Sequence, residues 1–458
     1  MTRSVFRIAC VASGIGAWLA APPARPQNIV PPPITITLPN YNTIPIGQMG
    51  ALEGGAFAAR VDDASANWFN PAGLSKATSS QISSSSGTYQ FLSLVPKDLE
   101  GTDTGTSTEQ VPALVGVVVK KMFGNPELTA GFAFTRTNSW TQSTTALRDR
   151  LAQTPPTLLT YSADSTFQRV EASAGLGYDP GCCWRVGAVL AGDVTTLDSQ
   201  ATFSTRDPLV NGLDAVQISG RASGSITHLR AAVGAQWEPT PEIRVGGLLR
   251  SPGIKLFRSG DLNADGLFTA GGQNGAQLSY TFFDKDPRFD YQLPFEAVLG
   301  AAWVRDRFEL EVDGHFYAGH SPYDLFRSEQ TATRITDPGG GAPPVVDQIP
   351  FQNIQADNKP IFNVAVGGHY ALTANRVWLL HFGFSTDFSP VGDADQFFSR
   401  VNLYGVTLGF TGQTEHIVGS LGVNYVFGSS DNSTLAQLLD SDLKVRMIGV
   451  IYSLAYKF

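Results

Sequence analysis

The sequence predicts an all-β chain, a 14-stranded antiparallel transmembrane β-barrel whose lumen is plugged by an N-terminal hatch. Three observations predict it. Charged residues make up 16% of the 458 and hydrophobic residues 42%, so the chain is poor in charge without being rich in apolar residues; soluble domains carry about 25% charge. From Gln81 to the C-terminus the hydrophobic pattern has period two, apolar on one face and polar on the other, as a wall between lipid and a lumen requires. The connections alternate in length, tight at 124–127, 179–182, 239–241, 305–306, 373–375 and 412–414, and medium or long at 95–110, 142–157, 205–214, 258–276, 320–357, 391–398 and 428–443. Barrels of the bacterial outer membrane have short periplasmic turns and longer extracellular loops.

The chain starts with an export signal. Arg3 and Arg7 supply the positive region and Ile8 to Ala21 a short apolar core, followed by small residues and Pro22. An apolar run of about 14 residues is too short for a bilayer, which needs roughly 20, so residues 1–24 are expected to be removed. Residues 25–46 form a Pro-rich lead-in with Pro31-Pro32-Pro33 and Pro39. Residues 47–78, rich in Gly and Ala and without a β-period, form the expected hatch, and 79–458 the barrel.

Fourteen strands are expected at 81–94, 111–123, 128–141, 158–178, 183–204, 215–238, 242–257, 277–304, 307–319, 358–372, 376–390, 399–411, 415–427 and 444–458. Their faces separate cleanly. Ile243, Val245 and Leu249 oppose Arg244, Gly246 and Arg250; Phe308, Leu310 and Val312 oppose Glu309, Glu311 and Asp313; Trp378, Leu380 and Phe382 oppose His381 and Asp387. In the last strand Tyr452, Leu454, Tyr456 and Phe458 share one face, with Lys444 and Arg446 on the same face at the far end, where lipopolysaccharide phosphates are expected partners. Ser143 to Gln153 reads as a loop helix stopped by Pro155-Pro156, and Ser433 to Asp442 as another. Asp261 to Gly266 matches the first half of a calcium loop, but Gly272 stands where a bidentate Glu is needed, which leaves a surface turn. Cys182 and Cys183 are adjacent, as a vicinal disulfide or as two thiols.

Gly47-x-x-Gly50, Gly54-Gly55-Ala56, Ala64-Ser65-Ala66 and Asn70-Pro71-Ala72-Gly73-Leu74 together resemble the N-terminal hatch of the FadL family, outer-membrane transporters of long-chain fatty acids and related hydrophobic compounds. Arg250-Ser251-Pro252, Leu293-Pro294 and the run from Gly383 to Val391 also resemble it, so the likeness covers about 40 to 458. The resemblance implies passive uptake of hydrophobic molecules (fatty acid, hydrocarbon or detergent) by a monomer in the Gram-negative outer membrane. It also implies a hatch that ligand displaces and a sideways exit through the wall. Gating is expected at Asn70, Pro71, Ala72 and Gly73, since Pro71 fixes its own φ and forces Asn70 to be extended. Among lumen cations, Arg250, Arg244 and Arg230 are candidates to hold a fatty carboxylate; an interior ion-pair network is the other reading. The six histidines lack His-x-x-x-His spacing and no Gly-x-Ser-x-Gly is present. No enzyme activity, cofactor, metal or catalytic residue is therefore expected, and the net charge of −8 argues against nucleic acid. The alternative function is a surface adhesin acting through its long loops, above all 320–357.

Overall fold

A computed structural model of the chain describes residues 37–42, 44–94, 103–104, 110–150, 157–206, 215–269, 275–430 and 443–458. The export signal, most of the lead-in, the helix expected at Ser433 to Asp442 and the core of the 205–214 loop lie outside them. The first strands are β1 (Gln81–Leu94), β2 (Asp103–Thr104), β3 (Gln110–Lys120), β4 (Leu128–Arg150), β5 (Thr157–Tyr178), β6 (Trp184–Arg206) and β7 (Ala215–Thr240). The middle of the chain gives β8 (Ile243–Arg250), β9 (Ile254–Thr269), β10 (Gln277–Asp284), β11 (Arg288–Phe289), β12 (Glu296–Arg305), β13 (Phe308–Tyr317), β14 (His320–Arg327), β15 (Thr331–Asp337), β16 (Val345–Pro350) and β17 (Ile354–Asn358). The wall is completed by β18 (Ile361–Ala371), β19 (Trp378–Asp387), β20 (Asn402–Gln413), β21 (Ile417–Ser430) and β22 (Leu443–Lys457).

Around its lower half the barrel runs β1–β3–β4–β5–β6–β7–β8–β12–β13–β18–β19–β20–β21–β22. It closes where Gln81 of β1 meets Lys457 of β22, a ring of fourteen antiparallel strands. Closure leaves no edge at this level, the condition for crossing hydrocarbon with strands. The faces are as the pattern predicts. On β6, Trp184, Val186, Leu190 and Val194 are exposed outward, while Val189, Ala191, Asp193 and Thr195 are buried inward. Above Val194 the outward positions become Thr196, Asp198 and Gln200, so the apolar belt ends there and the wall continues beyond the membrane. Tyr452, Leu454, Tyr456 and Phe458 are all exposed outward. Cys182 and Cys183 are exposed free thiols in a tight turn.

Four expectations are corrected. The stretch from Ser143 is strand, not helix: β4 continues to Arg150, paired residue by residue with β5 from Ser143↔Asp164 to Arg150↔Thr157. A ladder of that length outweighs local helix propensity, which is a weak prior. Asp261 to Gly266 is not a surface turn but the middle of β9, paired to β7 and β10. The single strand expected at 242–257 is broken at 251–253, and its second part, β9, runs on to Thr269 through most of the expected 258–276 loop; the one expected at 277–304 is divided into β10, the short β11 and β12. Finally, 320–357 is not a free loop, since it contains β14 to β17. Three segments separated along the chain, β11, β14 and β17, form a separate three-stranded sheet whose Phe289, Phe326, Ile354 and Ala356 are buried.

A second irregularity lies across the barrel. β3 pairs with β4 only from Leu114↔Thr135 down to Lys120↔Thr129. Above a register shift at Arg136/Asn138, β4 has no described strand on that side until Thr144 and Thr145 meet β2. Along 136–143 β4 keeps its pairing with β5, and its ladder with β3 lies below this stretch.

Candidate functional site

Residues 47–76 fold inside the lower ring as short helical turns, Met49–Leu52, Ala66–Phe69 and a 3-10 turn Pro71–Lys76. Their backbone lies against the wall because wall glycines remove the side chains that would hold it off. A Cβ at Gly187 would collide with the backbone of Pro71, one at Gly234 with Asn70 Oδ1, and ones at Gly367 and Gly383 with the backbone of Glu53. This is the close approach for which Gly is needed in strands.

Asn70 is fully buried and extended, at φ −171 and ψ 108. Its Oδ1 accepts from the Ala72 amide at 3.2 Å, and its Nδ2 donates to the Ala58 and Ala235 carbonyls, each at 2.9 Å. It thus caps the Pro71 turn, with Pro at the position where a missing N–H costs nothing, and also ties the hatch to β7. Ala72 and Gly73 are buried beside it.

Opposite this seam is a polar lock that sequence reading missed on the hatch side. Asp313 Oδ2 accepts from the Phe57 and Ala58 amides at 2.9 and 3.0 Å. Glu311 accepts from the Ala59 amide at 2.6 Å through Oε1 and from Arg60 Nε at 2.7 Å through Oε2. Arg60 Nη2 also bonds Glu53 Oε2, whose Oε1 meets His369 Nδ1 at 2.9 Å and His381 Nδ1 at 2.8 Å. Burial would raise the Glu53 carboxyl, but Arg60 and the two imidazoles hold it well below the usual carboxylate range. Burial likewise works against the Arg60 charge, and Glu53, Glu311 and Glu309 more than offset it. The available signal was that Glu53 and Arg60 are isolated charges in a Gly/Ala-rich stretch.

Glu53, His369 and His381 place their ligand atoms within 4.8 Å of one another, yet they suit a hydrogen-bonded lock better than a metal. Arg376 Nη2 lies 3.0 Å from His369 Nε2 and can only donate to it. That puts the His369 proton on Nδ1, facing Glu53, where a metal would need a bare nitrogen. Arg60 on the same carboxylate adds a repelling charge.

The three lumen arginines do not converge. Arg250 Nη1 donates to Glu296 Oε2 at 2.7 Å, and its guanidinium also reaches the Trp68 carbonyl and lies 4.2 Å from the Trp68 ring centroid. Arg230 donates to the Ser251 and Pro294 carbonyls at 3.2 and 3.0 Å, stapling the two broken strands together. Arg244 sits near the turn end, 3.7 Å from both Glu238 and Glu309.

Above the hatch the lumen is apolar. Trp140, Phe167, Phe282, Phe289, Tyr291 and Phe398 belong to one buried cluster, with Phe167, Tyr291 and Phe398 edge-to-face at 5.4 to 6.1 Å. The end of the lead-in threads through it. Asn40 Nδ2 donates to the Asp387 carbonyl at 2.7 Å, its carbonyl accepts from Asn138 Nδ2 at 2.6 Å, and Tyr41 packs on Tyr317 at 4.5 Å. Asn138 lies on β4 within the 136–143 stretch, so the lead-in passes directly behind that part of the wall.

A closed apolar-belted barrel with an internal hatch defines a class, the plugged barrels of the outer membrane. Solved structures share this fold. They include a FadL homologue from Pseudomonas aeruginosa (13% identity, TM-score 0.57, covering 92% of this chain and 99% of that one) and the toluene transporter TodX of Pseudomonas putida (13%, 0.57, 91% and 99%). The monoaromatic hydrocarbon channel CymD is similar as well (13%, 0.52, 91% and 99%). These are channels and transporters, not enzymes, and at that identity the likeness establishes the shared fold. No protein-family model matches the sequence, and no curated protein is detectably similar to it.

Proposed function

We propose that this chain is a passive, hatch-gated channel for hydrophobic molecules in the Gram-negative outer membrane, acting as a monomer. The observation that carries the reading is the stacking of two features: an aromatic lumen and a hatch sealed beneath it by a buried polar lock. The first gives an apolar solute somewhere to shed water, worth about 0.8 kcal/mol per buried methylene. The second prevents a permanent pore. The proteins with this fold that are named as hydrocarbon channels support the same reading. The adhesin alternative loses its chief support, because 320–357 builds β14 to β17 instead of a free loop. Lipopolysaccharide phosphates remain the expected partners of Arg446, which is exposed, and of its face-mate Lys444.

Reconstituted protein should accelerate the transfer of toluene or oleate across a bilayer, and deletion of 47–76 should convert it to an open pore in planar-bilayer recordings. Unchanged conductance after the deletion would sink the gating role, and no acceleration for any hydrophobic solute would sink uptake itself.

A further inference from the structure

A cavity of about 80 Å3 lies between the hatch and the wall, against the roughly 10–15 Å3 that one water requires. Ile46, Phe69, Leu248 and Val298 give it apolar lining. Three polar side chains that line it have an atom buried without a hydrogen-bond partner among the described residues: Tyr41 Oη, Asn363 Nδ2 and His315 Nδ1. Tyr41 is 4% exposed and Asn363 fully buried. The amide of Asn363 is oriented by its other end, because Oδ1 accepts from the Phe388 amide at 2.9 Å, which leaves Nδ2 as an unused donor. An unmade bond of this kind costs about 1–3 kcal/mol, and a ligand oxygen would recover it.

The cations nearby are already committed. Arg250 is paired to Glu296, Arg169 to Asp193 at 2.6 Å, and Arg230 to two carbonyls. Glu296 itself lines the cavity, and Asp387, which accepts from the Tyr41 amide at 3.2 Å, adds another carboxylate beside it. No Lys or Arg is among the described residues that line the cavity, so an incoming anion would meet Glu296 without a cation beside it, and burying an uncompensated charge costs several kcal/mol.

We propose that this chamber binds an uncharged hydrophobic solute carrying one acceptor oxygen, such as an ester, ketone or alcohol, and discriminates against carboxylates. This rests on the uptake reading and names its substrate class. The donors are Tyr41 and Asn363, and the discrimination comes from Glu296, Asp387 and the absence of Lys and Arg among the described residues that line the cavity. Trp68 lines the same cavity and reports on its occupancy.

The test uses the full-length channel in lipid nanodiscs at pH 8, titrated with methyl octanoate, octanoate and octane while Trp68 fluorescence is followed, with Trp68→Phe as the blank. Methyl octanoate should bind at least about tenfold more tightly than octanoate, a difference of about 1.4 kcal/mol. Tyr41→Phe, which removes an unbonded hydroxyl only, should weaken the ester by roughly fivefold, the worth of one neutral hydrogen bond, and leave octane unchanged. Octanoate binding as tightly as the ester, or an equal Tyr41→Phe loss for octane, overturns the proposal while leaving uptake intact. If none of the three probes perturbs Trp68 and none crosses reconstituted membranes faster than through protein-free bilayers, the uptake reading fails with it.

Discussion

The lower and upper halves of the lumen are held together by different physics. Below, beside an apolar cluster that joins Phe57 and Leu74 of the hatch with Leu114 and Val118 of the wall, the hatch is placed by directional polar contacts: backbone amides on Asp313 and Glu311, the Arg60–Glu53–histidine chain, and the Asn70 bond to Ala235. Above, Trp140, Phe167, Tyr291 and Phe398 pack through non-directional apolar contact. On the proposed reading the hatch is a seal, which has to fit one position and release as a unit, and a set of geometrically demanding bonds suits that. A passage has to accept solutes of varied shape, which apolar surface provides.

The largest break in that contrast is expected from Arg60→Ala. It leaves Glu53 and Glu311 buried with no guanidinium, at a cost of about 3–5 kcal/mol for an unpaired buried charge. Planar-bilayer conductance should rise towards that of the hatch deletion while the barrel keeps its strand content by circular dichroism. A smaller effect is expected from Asn70→Ala, which removes a cap and the two bonds to Ala58 and Ala235; cap loss alone costs about 0.5–2 kcal/mol. Intermittent openings, not a steady pore, should appear in single-channel records. Phe398→Ala sharpens the comparison from the other side: transport rates for bulky solutes should change while resting conductance stays at the wild-type level.

The smallest effect is one of pH. Burial pushes the Asp63 carboxyl up to about 6, against hydrogen bonds from Ser65. A raised folded value means the seated hatch holds this proton more firmly than the released one. Its contribution is complete below the ordinary value of 3.8 and is lost as pH rises through about 6. Glu53, shifted downward, does not titrate in that window. Openings should therefore become rarer between pH 7 and pH 5, and Asp63→Asn should weaken the trend in the same recordings.

Much of the wall was legible in the sequence because strand alternation is local. The outward row Trp184, Val186, Leu190 and Val194 on β6, the tight turns and the aromatic face of β22 all follow from period two. The hatch was legible as the stretch that lacks that period. Local reading failed where a segment's neighbours decide its state. Ser143 to Arg150 favours a helix by itself and becomes strand because β5 supplies a partner for every residue. The breaks at 251–253 and 285–295 carry local signals in Pro252-Gly253, Pro287 and Pro294, but the normal alternation of each flanking half outweighs them and reads as a single strand.

The sequence by itself determined a β-barrel with a hatch and assigned each strand residue to lumen or lipid, since side-chain direction is fixed by the pleat. Only the tertiary structure decided what the lumen residues do. It brings Glu53 to His369 and His381, more than three hundred positions away. It also commits Arg250 and Arg230 to partners of their own. Pairing across a closed barrel depends on which strands face each other over the lumen, a long-range property that no local period encodes.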